Sequence, residues 1–268
     1  MKSTKLRSYL SIAAVIAALS FPALSLAQKT GTPPQAPKQP VTVTAQSWQT
    51  KPYWAKVDHQ LLIDFGNLAR FREADRKLGP PAPGVNRVVF MGDSITQMWN
   101  LKKSFPGKPY INRGISGQTS TQMLLRFRQD VINLKPSVVV ILAGTNDIAE
   151  NTGIIPLSQT EGDLASMAQL ARANGIRVVL CSVLPSVEFW WHPQLKNVAA
   201  KIATLNRWIE PYAARHHYVY VDYYSRMKDP AGGLPKNLSH DGVHPSPSGF
   251  AIMAPLAQAG INKALKKK

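Results

Sequence analysis

Hydrophobic residues alternate between two patterns over the second two-thirds of the chain. Four short, continuous apolar runs are typical of strands buried on both faces of a sheet; they occupy residues 87–91, 138–143, 177–184 and 218–223. Other segments carry apolar residues at three- and four-residue steps, as helices do; they are residues 120–134, 159–173 and 194–216, and a stretch after Ser248. The alternation predicts an α/β domain, with a mostly parallel sheet covered by helices on both faces.

The amino-terminal residues follow a pattern of their own. Three basic residues within positions 2–7 precede an apolar run that ends at the small-residue triplet Ser25-Leu26-Ala27. This order predicts a secretory signal peptide over residues 1–27, with cleavage near Ala27 and export to the periplasm or the medium. An uncleaved membrane anchor is the alternative. Pro22 and three serines interrupt the run, which makes it a poor match to a span of about 20 apolar residues.

Two further segments separate this stretch from the α/β domain. Residues 28–50 are rich in Pro, Thr, Gln and Lys and lack hydrophobic periodicity, which predicts an extended linker. Residues 51–86 form an amino-terminal extension, in which apolar residues at helical spacing predict an amphipathic helix over residues 60–78. The domain itself is expected over residues 87–268.

The composition suits a folded domain with a sizeable core. Of the 268 residues, 44% are hydrophobic, and Cys181 is the single cysteine. One cysteine excludes a disulfide framework, a CxxC redox pair and a cysteine zinc cluster. Cys181 lies among apolar neighbours in a predicted strand, so we expect it to be an inert part of the core.

The formal net charge of +17 raises the question of a nucleic-acid partner. The basic residues are scattered rather than interleaved with aromatic residues, and the sequence has no nucleic-acid-binding motif, so no such partner is expected. We expect solvated surface charge, with non-specific attraction to anionic envelope surfaces as the alternative. The scattered residues include Lys102, Lys103, Lys108, Arg113, Arg126 and Arg128. The oligomeric state stays open.

A candidate nucleophile follows the first predicted strand, at Gly92-Asp93-Ser94. The carboxyl ends of parallel strands are where α/β sheets hold their ligands. A serine alone is inert without a base and could simply cap a helix. Asp241 and His244 supply the missing groups, because an Asp three residues before a His in a turn can hold the imidazole in the tautomer that accepts the serine proton. The sequence therefore predicts a Ser94, His244 and Asp241 triad.

Groups that could stabilise a developing negative charge follow two other segments. Asn146, within Gly144-Thr145-Asn146-Asp147, comes directly after the strongest predicted strand, and its side-chain amide can donate to an oxyanion. Gly117 could present a backbone N–H to the same oxygen. Each of these residues alone is common in turns. Together with Ser94 they predict one site at one edge of the sheet.

The chain resembles the SGNH (GDSL-type) hydrolases. The four blocks that carry the resemblance, in the family's order between about residues 87 and 260, are Gly92-Asp93-Ser94, Gly114 to Gly117, Gly144-Thr145-Asn146-Asp147 and Asp241-Gly242-Val243-His244. The resemblance implies a flavodoxin-like three-layer α/β/α sandwich and a metal-independent serine ester hydrolase. It also implies an oxyanion hole made by the Ser94 N–H, the Gly117 N–H and the Asn146 amide. Ile95 stands where the family motif has Leu, a conservative change.

One segment also suggests a subgroup of that family. Residues 112–117 resemble the esterases of the platelet-activating-factor acetylhydrolase type.

Competing assignments exist for several residues near these motifs. His240 and His244 have a spacing seen in zinc sites, but Gly242 and Pro245 make the segment a loop, so no metal is expected.

Two other residues compete for roles in the triad. Ser116 is a rival nucleophile without a G-x-S-x-G turn around it. Asp93 is a rival triad acid, but we expect it to support local hydrogen bonds because it adjoins the nucleophile. Phosphate-binding and dinucleotide motifs are absent from the sequence, so no cofactor is expected.

Trp190 and Trp191 follow the third predicted strand and therefore lie on the site's side of the sheet. They could form an apolar wall for an acyl chain or a platform for a sugar ring, or they could pack on the core.

The favoured interpretation of the whole sequence is an exported serine esterase that acts on short acyl esters. The favoured substrates are acetyl esters of carbohydrate or of cell-wall glycans. The alternatives are a lysophospholipase or lipase-like acylhydrolase, an O-acyltransferase and, least favoured, a non-catalytic module that binds the envelope.

Overall fold

The computed structural model describes residues 59–267. Its centre is one sheet of five parallel strands in the order β2-β1-β3-β4-β5. The strands are β1 (Val88–Gly92), β2 (Tyr110–Gly114), β3 (Val138–Leu142), β4 (Arg177–Cys181) and β5 (Val219–Val221). All four predicted strands are present. The edge strand β2 was not predicted, because its sequence YINRG has too few consecutive apolar residues to form a recognisable run.

Helices cover both faces of the sheet. They are α1 (Arg72–Leu78), α2 (Ser94–Met98), α3 (Leu101–Ser104), α4 (Ser120–Asp130), α5 (Thr145–Ile148), α6 (Leu157–Ala173), α7 (Val198–Arg215), α8 (Tyr224–Met227) and α9 (Pro247–Lys266), with a 3-10 turn at Ile132–Leu134. Alternate strand residues face opposite layers, as the two-residue period of a strand requires. Val89 and Met91 pack with α4, α6 and α7, whereas Val88 and Phe90 pack with α2, α3 and α9. The predicted three-layer α/β/α sandwich is confirmed.

The amino-terminal extension departs from its prediction. A continuous helix over residues 60–78 was expected, but residues 59–63 are helical, the chain then turns, and α1 begins only at Arg72. The break has a local cause, because the Asp64 carboxylate accepts the backbone N–H groups of Leu68 at 2.8 Å and Ala69 at 2.9 Å. Asn67 then adopts a left-handed φ of 53°, which no helix continues through. Apolar spacing alone did not reveal this competing side-chain bond.

Two of the basic residues expected on the solvated surface are buried. Arg126 is 0% exposed, pairs with Asp130 at 3.0 Å and donates to the backbone carbonyl of Gly92 at 3.0 Å. Burial lowers the pKa of Arg126 to about 10, so its guanidinium stays charged at neutral pH. Arg113, also buried, forms an ion pair with Asp75 of α1. For these two positions the expectation of solvated charge is wrong.

The predicted signal peptide (residues 1–27), the predicted linker (residues 28–50) and the start of the extension (residues 51–58) lie outside the described residues. Among residues 59–267, no helix combines the length and the apolar character that crossing a bilayer requires.

Candidate active site

Ser94 lies at the start of α2, directly after β1. The preceding residue, Asp93, caps this short helix, because its carboxylate accepts the backbone N–H of Ile95 at 2.9 Å. The Arg126 bond to the Gly92 carbonyl fixes the chain immediately before the cap. This turn holds Ser94, which is 8% exposed, at the carboxyl edge of the sheet.

His244 reaches Ser94 from a loop near the carboxyl end of the chain. The Nε2 atom of His244 lies 2.9 Å from the Ser94 hydroxyl oxygen. The other ring nitrogen, Nδ1, lies 2.6 Å from Oδ2 of Asp241. When Nδ1–H donates to Asp241, the lone pair of Nε2 faces the Ser94 hydroxyl and can accept its proton. The three residues predicted as a triad are therefore brought into one chain of hydrogen bonds.

Asp241 is held in place by its own loop. Its Oδ1 accepts the backbone N–H groups of Val243 at 3.0 Å and His244 at 2.8 Å, and the Ser239 hydroxyl at 3.1 Å. Burial by itself would raise the pKa of Asp241, but the bonds from the His244 ring and from these N–H groups lower it to about 2. The carboxylate is therefore ionised at neutral pH beside the imidazole.

The loop that carries Asp241 and His244 is a turn rather than a helix. Gly242 adopts a φ of 78°, which favours glycine, and Ser239 and Pro245 form an isolated bridge across the loop. Ser246 then caps α9 by accepting the N–H of Gly249. His240, the other half of the zinc-like spacing, is exposed. Within residues 59–267, no group of three or more His, Cys, Asp or Glu side chains is arranged to hold a metal ion.

Asn146 and Gly117 are joined by a residue that the sequence did not single out, Asn151. The Asn151 amide donates to Oδ1 of Asn146 at 2.8 Å and to the backbone carbonyl of Gly117 at 3.1 Å. The Asn146 amide nitrogen then faces the Gln118 carbonyl at 3.0 Å and Asp93 at 3.3 Å. These bonds fix the positions of Gly117 and Asn146. Both N–H groups of the Asn146 amide are donated within the protein, so donation to an oxyanion would replace the longer contact, to Asp93. Asn is too common in turns for the sequence to have marked Asn151.

Asp93 lies next to this arrangement and contacts Asn146. It is 1% exposed, and its two oxygens accept from Ile95 and Asn146. Burial raises the pKa of Asp93 to about 7. Asp241, rather than Asp93, contacts His244, and Asp93 supports local hydrogen bonds as expected.

Ser116, the rival nucleophile, is exposed, and its backbone N–H donates to Gln97 at 2.7 Å.

The two tryptophans have different surroundings. Trp191 is 7% exposed, donates from its indole N–H to Asn151 at 2.9 Å and lies with its ring 6.5 Å from that of His244. Trp190 is 59% exposed and meets Trp191 edge-on. Trp191 thus forms a fixed wall behind the imidazole, and Trp190 presents a free aromatic surface beside it.

Cys181 is buried in β4, as expected of a core residue. Burial raises the pKa of its thiol to about 12. A thiol held protonated in this way is a poor nucleophile at neutral pH.

Comparison with known proteins places this arrangement in a family. The GDSL-like lipase/acylhydrolase family matches residues 90–252. A GDSL-like lipase from Bacteroides thetaiotaomicron is 47% identical and superposes with a TM-score of 0.73 over 75% of this chain and 100% of its own. Esterase TesA from Pseudomonas aeruginosa is 33% identical over 59% of this chain and 79% of its own length. An acetylxylan esterase from Xylanibacter ruminicola is 24% identical over 78% of this chain and 48% of its own length.

The extent of these matches differs between relatives. The chain spans about half the length of some curated relatives, 51% for a Bacillus subtilis lipoprotein and 48% for the acetylxylan esterase. Platelet-activating factor acetylhydrolase subunits are also among the relatives, as residues 112–117 predicted. The family match covers the end of β1, the other four strands, the turn at Ser94 and the loop at His244. The chain belongs to the GDSL-like lipase/acylhydrolase family, and its described domain is a carboxylic ester hydrolase of that type.

Proposed function

We propose that the protein is a serine esterase that uses Ser94 as nucleophile, His244 as general base and acid, and Asp241 as the group that orients His244. The observation that carries the proposal is the unbroken hydrogen-bond chain from Asp241 through His244 to Ser94, with separations of 2.6 and 2.9 Å. A serine becomes a useful nucleophile only when a base is placed to take its proton. An ionised carboxylate behind the base then stabilises the imidazolium that forms.

The proposed reaction has two halves. The Ser94 oxygen attacks the ester carbonyl while its proton passes to Nε2 of His244. The resulting oxyanion is stabilised by the N–H groups of Ser94 and Gly117 and by the Asn146 amide. His244 returns the proton to the departing alcohol oxygen as the bond to the acyl carbon breaks. Water then attacks the acyl-serine by the same steps, which releases the acid and regenerates Ser94.

We propose short acyl groups, acetyl above all, on carbohydrate or cell-wall glycans as the substrate class. An acetylxylan esterase is among the relatives. The exposed ring of Trp190 beside the wall formed by Trp191 offers a sugar a flat apolar surface. Export to the periplasm or the medium, after cleavage near Ala27, is part of this proposal and fits a substrate in the envelope or outside the cell.

The proposal is tested by measuring hydrolysis of p-nitrophenyl acetate, butyrate and octanoate, together with acetate release from acetylated xylo-oligosaccharides. We expect the acetyl ester to be preferred and Ser94→Ala to lower kcat by about a thousandfold or more. Ser116→Ala, which removes the rival hydroxyl, is expected to retain activity. Preference for octanoate would favour a lipase-like enzyme. Activity that survives Ser94→Ala would overturn the assignment of the nucleophile.

A further inference from the structure

A cavity of about 560 Å³ opens beside Gly117. One wall comes from α2 and the loops at the edge of the sheet, through Gln97, Gly117 and Asn151, and the other from the amino-terminal extension, through Gln60 and Phe65. Its volume lies within the range of about 300–1,000 Å³ that is usual for small-molecule sites. Gly117 also belongs to the proposed oxyanion hole, so the cavity adjoins the site at Ser94.

The wall from the extension is fixed to the domain. Three glutamine side chains in or next to α4 donate to backbone carbonyls of the extension: Gln118 to Gly66 at 2.9 Å, Gln122 to Phe65 at 2.8 Å and Gln129 to Leu68 at 2.7 Å. The buried ion pair between Arg113 and Asp75 ties down α1, which follows. These bonds hold the extension in a fixed position against the domain, so it forms a rigid wall of the cavity.

The chemistry of the lining favours one class of ligand. Six amide side chains line the cavity, together with the charged side chains of Asp64 and Arg70 and with Phe65, which is 39% exposed. The amides are those of Gln60, Asn67, Gln97, Gln118, Gln122 and Asn151. Amides both donate and accept, so they suit a ligand with many hydroxyl groups, and an aromatic ring packs against the C–H face of a sugar. A hydrocarbon chain would offer no hydrogen-bond partner to the Asn67 amide or to the NH₂ group of Gln97, at a cost for each one.

We propose that the part of the extension at residues 60–67 is a glycan-binding wall, which holds the polyhydroxylated alcohol part of the ester while its acyl group is at Ser94. The inference rests on the proposed function for the identity of the ester. The proposal gives residues 60–67 a direct part in substrate choice. These residues precede the family-matched region, which begins at residue 90.

The test uses Phe65→Ala and Gln60→Ala, with Ile63→Ala as the matched control. Ile63 lies in the same segment, is 68% exposed and does not line the cavity. We expect each cavity variant to lower the ratio of kcat/KM for acetylated xylo-oligosaccharides to kcat/KM for p-nitrophenyl acetate by about tenfold, the effect of losing one good contact. Ile63→Ala should leave the ratio at the parent value. Using two cavity variants covers the case in which one of them fails to fold.

A second measurement separates this inference from the proposed function. Calorimetric titration with deacetylated xylo-oligosaccharide reports the alcohol site without any catalysis. Binding that weakens about tenfold in Phe65→Ala, and not in Ile63→Ala, supports the glycan wall even if the parent protein hydrolysed no ester, a result that would overturn the proposed function alone. Equal binding by parent and cavity variants would overturn the inference. A change in acyl chain-length preference among p-nitrophenyl esters would also overturn it, because the cavity would then hold the acyl group.

Discussion

Asp241 decides which nitrogen of His244 carries the proton. One of its oxygens faces the ring nitrogen Nδ1 at 2.6 Å, while the other accepts the backbone N–H groups of Val243 and His244. The backbone bonds leave the carboxylate a single orientation, so the ring is held with Nε2 toward Ser94. A pKa of about 2 keeps Asp241 charged across the pH range in which most esterases are assayed.

Replacing this carboxylate by an amide, in Asp241→Asn, tests that role. The Asn oxygen can still accept the two backbone N–H groups, which turns its NH₂ toward Nδ1 and favours the tautomer with the proton on Nε2. We expect kcat for p-nitrophenyl acetate to fall by about a hundredfold to ten-thousandfold with little change in thermal stability. Steady-state kinetics and a melting curve measure both quantities. A variant with parental kcat would show that Asp241 has no such role.

The residues of the candidate site were largely predictable because their signals are local. Ser94 follows a recognisable strand, and Asp241 stands three residues before His244 in the same turn. Asn151 and Arg126 were not predictable as supports. Asn151 acts through partners such as Trp191, which is 40 positions away in the sequence, and Arg126 through a backbone carbonyl 34 positions away. Nothing in the neighbouring sequence distinguishes a buried arginine of this kind from a solvated one.

At the scale of elements, the position of α2 depends on a close approach between two backbones. A Cβ placed on Gly114 at the end of β2 would lie 2.1 Å from the backbone nitrogen of Gln97 in α2. Backbone atoms cannot move aside as a flexible side chain can. Glycine at residue 114 therefore allows the helix that begins with Ser94 to pack directly against the edge strand.

Gly114→Ala is accordingly expected to lower the free energy of unfolding by about 3 kcal/mol and to reduce kcat, because α2 must shift. Urea unfolding and esterase kinetics check the two effects. Gly162→Ala is the matched control, since a Cβ there meets no atom within 4 Å in the middle of α6. That control should be more stable than the parent by up to about 1 kcal/mol. Equal stability of the two variants would contradict the close-approach argument.

The two features that the sequence did not predict have separate physical reasons. Within residues 59–267, the edge strand β2 pairs with β1 alone, so it needs no continuous apolar run to be stable. The break in the helix predicted over residues 60–78 depends on a side-chain oxygen that competes with the helix for backbone N–H groups. Central strands and long helices, by contrast, are buried on defined faces, so their apolar pattern was sufficient to predict them.

At the scale of the whole molecule, burial of Asp93 makes stability depend on pH. Its pKa of about 7 lies above the usual value of a carboxyl group, so the folded state favours the protonated form. The contribution of Asp93 to stability is full below pH about 4 and is lost as pH rises through about 7. The loss is at most on the order of 4 kcal/mol, because one pKa unit corresponds to about 1.36 kcal/mol.

Asp93→Asn removes this titration and provides the test. The free energy of unfolding, measured by urea titration between pH 4 and 8, should fall with rising pH more steeply in the parent than in the variant. The difference between the two proteins isolates Asp93 from the other carboxyl groups. Parallel curves would mean that the pKa of Asp93 is the same in the folded and the unfolded protein, and would contradict the argument.

The central claim is that His244 and Asp241 make Ser94 the nucleophile. Its most direct test is reaction with a fluorophosphonate ester, in which the serine oxygen displaces fluoride at phosphorus, followed by peptide mass spectrometry. We expect one adduct, on the peptide that contains Ser94, with no adduct in Ser94→Ala and much slower labelling in His244→Ala. An adduct on Ser116, or labelling of Ser94 at the parental rate without His244, would contradict the account.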